Sequence, residues 1–456
     1  MPPLVGWHVP ALAIGQFLAC SMSRTGQGSG QSILIRLLQE VWMLRHLDST
    51  REVLDPAAML AKLEAGNLSI GTMLCEALHA VRNHLGMEVA FVAEFSEGAR
   101  IFRHVDGRTE HLTLCVGDSG PLEESYCQRV VDGRLPELIN DATQLAEALL
   151  LPVTAELPVG AHLSVPIRFS DGALYGTFCC FSTRPDSSLN ERDLNTLRLF
   201  AAFAGRLLES QAKRLDAREA KRNRVAAVLA NRAYGVVYQP IVHLVENRIV
   251  GHEALARFSA EPQRTPDKWF DEAGQVGLQQ ELEVALIEAA LKGMDRLPPD
   301  SYLSLNVSPD TILAGALDNV LAHQPMVRLM LEVTEHACVQ DYALLAEALE
   351  PLRSKGLRLA VDDAGAGYAS FRHILKLKPD VIKLDSSLIR NIDSDTGSRA
   401  LAAALIRFAE ETGCKVVAEG VETREELAML RRLEVNKAQG YLLGRPMPLH
   451  ARVAAG

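Results

Sequence analysis

From Ile70 the chain settles into a helical rhythm. Ile70, Met73, Leu74, Ala77, Leu78, Val81 and Leu85 recur at three- and four-residue spacing, and Gly86 ends the run. Residues 88–95 then alternate, with Val89, Phe91, Ala93 and Phe95 on one face, which predicts a half-buried strand. A second strand is expected over residues 100–105, with Asp106-Gly107 as its turn. Residues 162–167 and 175–181 read as two more strands, joined through Ser170-Asp171-Gly172. The sum is an α+β module, an antiparallel sheet with helices before and after it. Residues 190–223 read as helix, with Leu194, Leu197, Ala201, Ala204, Leu208 and Leu215 at near-heptad spacing. That stripe suits a last helix packed on its own sheet, or a short dimerising helix, and the two are compatible.

A different rhythm starts near Arg224. Short apolar runs end in a polar, often acidic, residue, and a helical or polar segment follows. The runs 235–239, 249–253, 302–306 and 329–332 end in Gln239, Glu253, Asn306 and Glu332. The runs 359–363, 381–383 and 416–419 end in Asp362-Asp363, Lys383 and Glu419, and 438–442 carries Gln439. Helical periodicity separates most of them, as over 281–294, 342–352 and 398–410. Eight strands alternating with helices predict a (β/α)8 barrel. Only residues 243–248 separate the first two strands, too few for a crossover helix, so they should form a hairpin with one strand antiparallel. The C-terminal strand ends of such a barrel converge on one mouth, which would gather Glu253, Asn306, Glu332, Asp362, Asp363, Lys383, Glu419 and Gln439.

Taken alone, adjacent aspartates at a strand end read more readily as helix-capping loop residues than as metal ligands. Five carboxylates in one mouth decide between these. Like charges a few ångströms apart repel by several kcal/mol at an effective dielectric of about 20, and one lysine cannot offset that. All-oxygen donors favour Mg²⁺ or Mn²⁺ over zinc. Two such ions about 4 Å apart suit phosphodiester hydrolysis, with Lys383 placed to hold or orient the attacking water.

Composition narrows the class. The 456 residues allow two to four domains, and 48% hydrophobic with 23% charged residues is ordinary for a soluble globular protein. A net charge of −10 argues against a nucleic-acid polymer as partner, though not against an anionic ligand held through cations. The 8 cysteines lack zinc-type spacing and sit mostly in apolar runs, as reduced core thiols of a cytoplasmic protein do. Cys127, Cys179 and Cys180 read as core packing, with redox or chromophore attachment as the lesser alternative. Residues 1–60 form a poorly determined segment. Its apolar stretch from Leu4 to Met22 is interrupted by Gly6, His8, Pro10, Gly15 and Gln16, and no stretch predicts a membrane span.

Two resemblances follow from the motifs. The Ser164-Val165-Pro166-Ile167 strand, the Asp171-Gly172 turn and the Tyr175–Phe181 strand, behind a helix-strand-strand opening, resemble a GAF domain. That resemblance implies a sensor for an unknown small ligand over residues 61–210, followed by a helical linker, 211–223. Residues 224–456 are similar to EAL domains, bacterial phosphodiesterases that cleave cyclic di-GMP to linear pGpG. The likeness rests on Glu253-Ala254-Leu255 with Tyr238-Gln239-Pro240-Ile241, Leu305-Asn306-Val307-Ser308 and Leu331-Glu332-Val333-Thr334-Glu335. Asp362-Asp363, Ile382-Lys383-Leu384-Asp385, Ala418-Glu419-Gly420-Val421-Glu422 and Gln439-Gly440-Tyr441-Leu442 continue it in family order.

The EAL resemblance implies residue roles. Glu253, Asn306, Glu332 and Asp362 would ligate one divalent cation, and Asp362, Asp363 and Glu419 a second. Lys383 would position the water and Gln439 would support it, while Gln239, Leu255, Arg257 and Asp385 would contact substrate. Glu335 would tether the loop after Asp363, and Glu422 would support the site from behind. It further implies Mg²⁺ or Mn²⁺ as cofactors, inhibition by Ca²⁺, and a homodimer regulated by the GAF-like module. The alternative is an inactive EAL effector that binds cyclic di-GMP or a protein. The family's Asp-Phe-Gly is Asp363-Ala364-Gly365 here, which removes an aromatic anchor from a loop that links metal site and dimer interface. No Gly-Gly-Asp/Glu-Glu-Phe loop of a diguanylate cyclase is present.

Overall fold

A computed structural model of the chain describes residues 69–449 apart from 110–113, 335–338, 340 and 365–368. It divides between residues 214 and 215 into two compact units.

In the first unit, helix α1 (Ile70–Leu85) opens on Ser69, whose hydroxyl accepts from the Thr72 N–H, and closes on left-handed Gly86. Strands β1 (Val89–Ser96), β2 (Ala99–Gly107), β3 (Ser119–Pro121), β4 (Leu138–Ile139), β5 (Ala161–Arg168) and β6 (Leu174–Ser182) follow. They form one antiparallel sheet in the order β3-β2-β1-β6-β5-β4. Helix α2 (Glu191–Ala230) follows the sheet. Its Leu194, Leu197, Ala201, Ala204 and Leu208 join α1 in covering one sheet face, whereas Leu215 is exposed.

Two expectations need correction here. β1 is not half-buried. Ala90 and Val92 pack under the helices, while Val89, Phe91 and Ala93 pack against Phe102, Tyr126 and Cys127 on the other face. Being central in the sheet, β1 is covered on both sides. Asp106-Gly107 is not a turn either: both residues lie in β2, paired with Ala90 and Val89. Arg82 Nε holds the Asp106 carboxylate at 2.5 Å and fixes it there. The hairpin between β1 and β2 turns at Glu97-Gly98, both with positive φ (50° and 77°), as a two-residue primed turn requires.

The second unit is the expected eight-stranded barrel with helices between strands. β7 (Tyr234–His243) and β8 (Arg248–Phe258) form the hairpin. Then come α3 (Pro266–Val276), α4 (Gln279–Leu291), β9 (Tyr302–Asn306), β10 (Leu329–Thr334) and α5 (Tyr342–Arg353). β11 (Arg358–Ala364), α6 (Ala369–Leu377), β12 (Val381–Leu384), α7 (Thr396–Thr412), β13 (Lys415–Ala418), α8 (Arg424–Arg432) and β14 (Lys437–Ala438) complete it. The sheet closes in the order β10-β11-β12-β13-β14-β7-β8-β9. β7 is antiparallel to both neighbours, and the remaining pairs are parallel. The eighth strand is shorter than its apolar run suggested. It stops at Ala438, and residues 440–443 turn back on themselves through Leu443 N–H to Gly440 O.

Val225 and Val228 of α2 pack with Trp269, Ala273, Leu282 and Leu286, so the end of this helix belongs to the core of the second unit. Inside the barrel, Met330, Ala360, Val381 and Val417 form an apolar layer with Tyr302. Each stands two residues before Glu332, Asp362, Lys383 or Glu419 and so shares its strand face. The polar residues therefore rest on an apolar floor. Among the described residues, no helix is long and apolar enough to cross a membrane.

Candidate active site

The strand periodicity that builds the floor also sends the strand ends inward. Lys383, 0% exposed, occupies the centre. Its Nζ lies 2.7 Å from Glu332 Oε2, 2.7 Å from Glu419 Oε1, 3.0 Å from Asp362 Oδ1 and 3.5 Å from Glu253 Oε2. Asn306 Nδ2 donates to Glu253 Oε1 at 3.0 Å, and Gln439 Nε2 donates to Glu253 Oε2 at 2.6 Å and to Gln239 Oε1 at 3.0 Å. Gln239 stands directly across from Glu253 in the β7–β8 hairpin, and its Nε2 donates to Gly444 O. One strand reversed in direction thus brings its middle, not its end, to the site.

Two successive residues of a regular strand point to opposite faces, yet Asp362 and Asp363 converge. The β11–β12 pairing runs Ala360 to Val381 and Val361 to Ile382, and then jumps to Ala364 with Leu384. That is a one-residue bulge, with Asp363 in the left-handed region at φ 57°. The bulge turns the second carboxylate back towards the first. Oxygens of Asp362, Asp363 and Glu419 lie within 4.8 Å of one another, as do those of Glu253, Glu332 and Asp362.

The electrostatics show how far four carboxylates, three of them buried and Glu419 half-buried, exceed one ammonium. Burial pushes the Glu419 carboxyl up to about 8, with Lys383 opposing. Burial raises Glu332 well above the usual range, and the neighbouring acids add to it. Glu253 is also desolvated, but Lys383, Gln439 and Asn306 outweigh burial and hold it below the usual value. Lys383 loses solvation in the same way, and Asp362, Glu253, Glu332 and Glu419 keep it firmly protonated. Asp362 is buried, and its Oδ1 meets the Lys383 ammonium, which it shares with three other carboxylates. Hard oxygen donors and negative charge in excess of one ammonium together fit divalent cations.

The remaining predicted residues lie outside this cluster. Leu255 is half-buried on β8, two residues beyond Glu253 on the same strand face. Arg257 is exposed, and its guanidinium donates to Ala256 O at 2.7 Å. Asp385 caps the short helix Ser386–Ile389 by accepting from Ser387 N–H at 3.0 Å. Glu422 is exposed, and its N–H donates to Glu426 Oε2. Glu335 and residues 365–368 lie outside the described residues, whereas Ala364 is buried. Sequence reasoning missed Ser304, fully buried on β9, whose hydroxyl donates to Glu332 Oε1. Its signal was its place two residues before Asn306, on the same strand face.

The family model of the EAL domain matches residues 222–446, and that of the GAF domain matches residues 67–209. Residues 222–446 belong to the EAL-domain family. Ahead of this EAL domain stands a GAF domain, in the expected order. The EAL region is 33% identical over 226 residues to the cyclic di-GMP phosphodiesterase NbdA of Pseudomonas aeruginosa, covering 47% of this chain and 29% of that one. It is 32% identical over 194 residues to the probable cyclic di-GMP phosphodiesterase PdeA of Escherichia coli K12, covering 41% and 27%. The chain therefore spans less than a third of the length of these two relatives. Among solved structures, the EAL enzyme Bd1971 in its cAMP- and cyclic-di-GMP-bound form aligns with a TM-score of 0.50 at 21% identity, over 80% of this chain and 92% of that one. That likeness is one of fold.

Proposed function

We propose that the EAL domain of this chain hydrolyses cyclic di-GMP to linear pGpG with the help of two divalent cations, Mg²⁺ or Mn²⁺. The observation that carries this reading is the convergence of Glu253, Glu332, Asp362, Asp363 and Glu419 around Lys383 in the barrel mouth. Relatives named as cyclic di-GMP phosphodiesterases support the choice of substrate. Glu253, Asn306, Glu332 and Asp362 would hold one ion, and Asp362, Asp363 and Glu419 the other. When bound, the ions supply Lewis acidity towards the scissile phosphate and lower the pKa of the attacking water.

The protein's own groups do the rest. Lys383, kept protonated by its acidic neighbours, would donate a hydrogen bond that orients the water and would stabilise negative charge on the phosphoryl oxygens. Gln439 and Asn306 fix both oxygens of Glu253, and Ser304 fixes Glu332. Each carboxylate is thereby presented in one orientation, as metal sites require. Arg257, exposed and charged at the end of β8, would meet a phosphate of the substrate, with Gln239, Leu255 and Asp385 as further contacts. The GAF domain would regulate the rate through a small ligand. Hydrolysis in ¹⁸O-labelled water, with the product read by mass spectrometry, should place one ¹⁸O on the terminal phosphate of pGpG. A different product, or no label in that phosphate, would refute hydrolysis at phosphorus.

A further inference from the structure

The barrel has a second charged end. Arg248, Tyr302, Arg358 and Lys437 are the first residues of β8, β9, β11 and β14, so they gather at the end opposite the acidic mouth. With Arg328 and Asp300 they line a cleft of about 370 Å³. Four cations there face one carboxylate, in a chain whose net charge is −10.

The cations are unequally balanced. Arg248 is neutralised by two carboxylates, Asp300 at 3.0 Å and Glu246. Arg328 donates to the neutral carbonyls of Ser301 and Pro298, both at 3.0 Å. Arg358 and Lys437 both lie against the Tyr302 ring, 4.4 Å and 4.9 Å from its centroid. Among the described residues neither has an ion pair. Ring contacts account for where the two side chains rest, but they do not neutralise two cations held so close together. Burial first, then Arg358 and Lys415, pull Lys437 down to about 8. Positive charge is therefore in excess at this end of the barrel.

We propose that this cleft binds a phosphate group, with the Arg358 fork and the Lys437 ammonium as its principal ligands. A guanidinium offers paired donors that match two phosphate oxygens, and the lysine adds a point charge. The volume accepts either free phosphate or the terminal phosphate of a nucleotide. The acidic mouth, stripped of cations, repels phosphate, so the two ends are distinguishable.

The test is calorimetric titration of the full chain, freed of metal on a chelating resin, with inorganic phosphate and, separately, with a nucleoside 5′-monophosphate. Saturable one-to-one binding is expected. Lys437→Gln and Arg358→Gln should each weaken it about tenfold or more, the loss of one charged contact. Lys437→Arg should retain it, as should the remote surface change Arg407→Gln. Tighter binding of the nucleotide than of phosphate would assign the cleft to a nucleotide's phosphate, and equal binding to the free ion. Absence of saturable binding, or unchanged affinity in both Lys437→Gln and Arg358→Gln, would overturn the proposal.

Discussion

Asp362 and Asp363 are consecutive residues of one strand, yet their carboxylates meet within 4.8 Å, with Glu419 as the third member. The bulge that permits this holds Asp363 at φ 57°, where asparagine is tolerated and β-branched residues are not. Asp363→Asn should therefore keep the fold and lose turnover. Asp363→Val should also lose about 1–3 kcal/mol of stability. Denaturant melts beside rate measurements separate the two effects, and an equally stable Asp363→Val would remove the strain from the account.

Lys383 is the one cation inside the mouth among the described residues. In metal-free protein, Lys383→Met should cost about 3–5 kcal/mol, because it leaves several buried carboxylates without a counter-charge. Added Mg²⁺ or Mn²⁺ should restore most of that loss. A variant whose melting is indifferent to these ions would argue against cations at this place.

Glu419 gives a pH signature. Its folded pKa of about 8 lies above the ordinary 4.5, so the folded chain keeps a proton that the unfolded chain releases. The sign follows: this contribution is complete below the unfolded value and disappears as pH rises through the folded one. Between about pH 5 and about pH 8, metal-free wild type should thus lose stability relative to Glu419→Gln, and saturating Mg²⁺ should close the gap. Parallel melting curves across that range would contradict the burial-driven shift.

Gln439 holds Glu253 at 2.6 Å and Gln239 at 3.0 Å. Gln439→Ala frees one carboxylate oxygen, and the expected result is a fall in kcat of about 10–100-fold with a raised metal requirement. A change confined to KM would place Gln439 with the substrate instead.

The end of helix α2 belongs to the barrel's core through Val225 and Val228. A chain beginning at residue 215 keeps that packing and lacks the GAF domain. If the GAF domain regulates, its rate of cyclic di-GMP hydrolysis should differ from that of the full chain. Equal rates across a panel of small-molecule effectors would leave the GAF domain without a regulatory role.

The barrel was legible because each strand is a short apolar run that ends in a polar residue, and the hairpin because six residues cannot make a crossover. Glu253, Glu332, Asp362, Lys383 and Glu419 could be gathered on paper for the same reason. Asp363 was gathered with them as the residue beside Asp362, although period two sends it outward; the left-handed bulge is what brings it back. Ser304 hid as an unremarkable hydroxyl between leucines. β1 was misread because alternation reports one face, while a central strand is covered on both. The Glu97-Gly98 turn was missed because glutamate is not a customary left-handed residue.

The most direct measurement of the central claim is the turnover of cyclic di-GMP by the full chain, with pGpG resolved by chromatography. Wild type with Mg²⁺ or Mn²⁺ should form pGpG, while a chelator, Ca²⁺ in place of those ions, or Glu253→Ala should stop it with the fold intact. Undiminished hydrolysis by Glu253→Ala, or no hydrolysis by wild type with either ion, would contradict it.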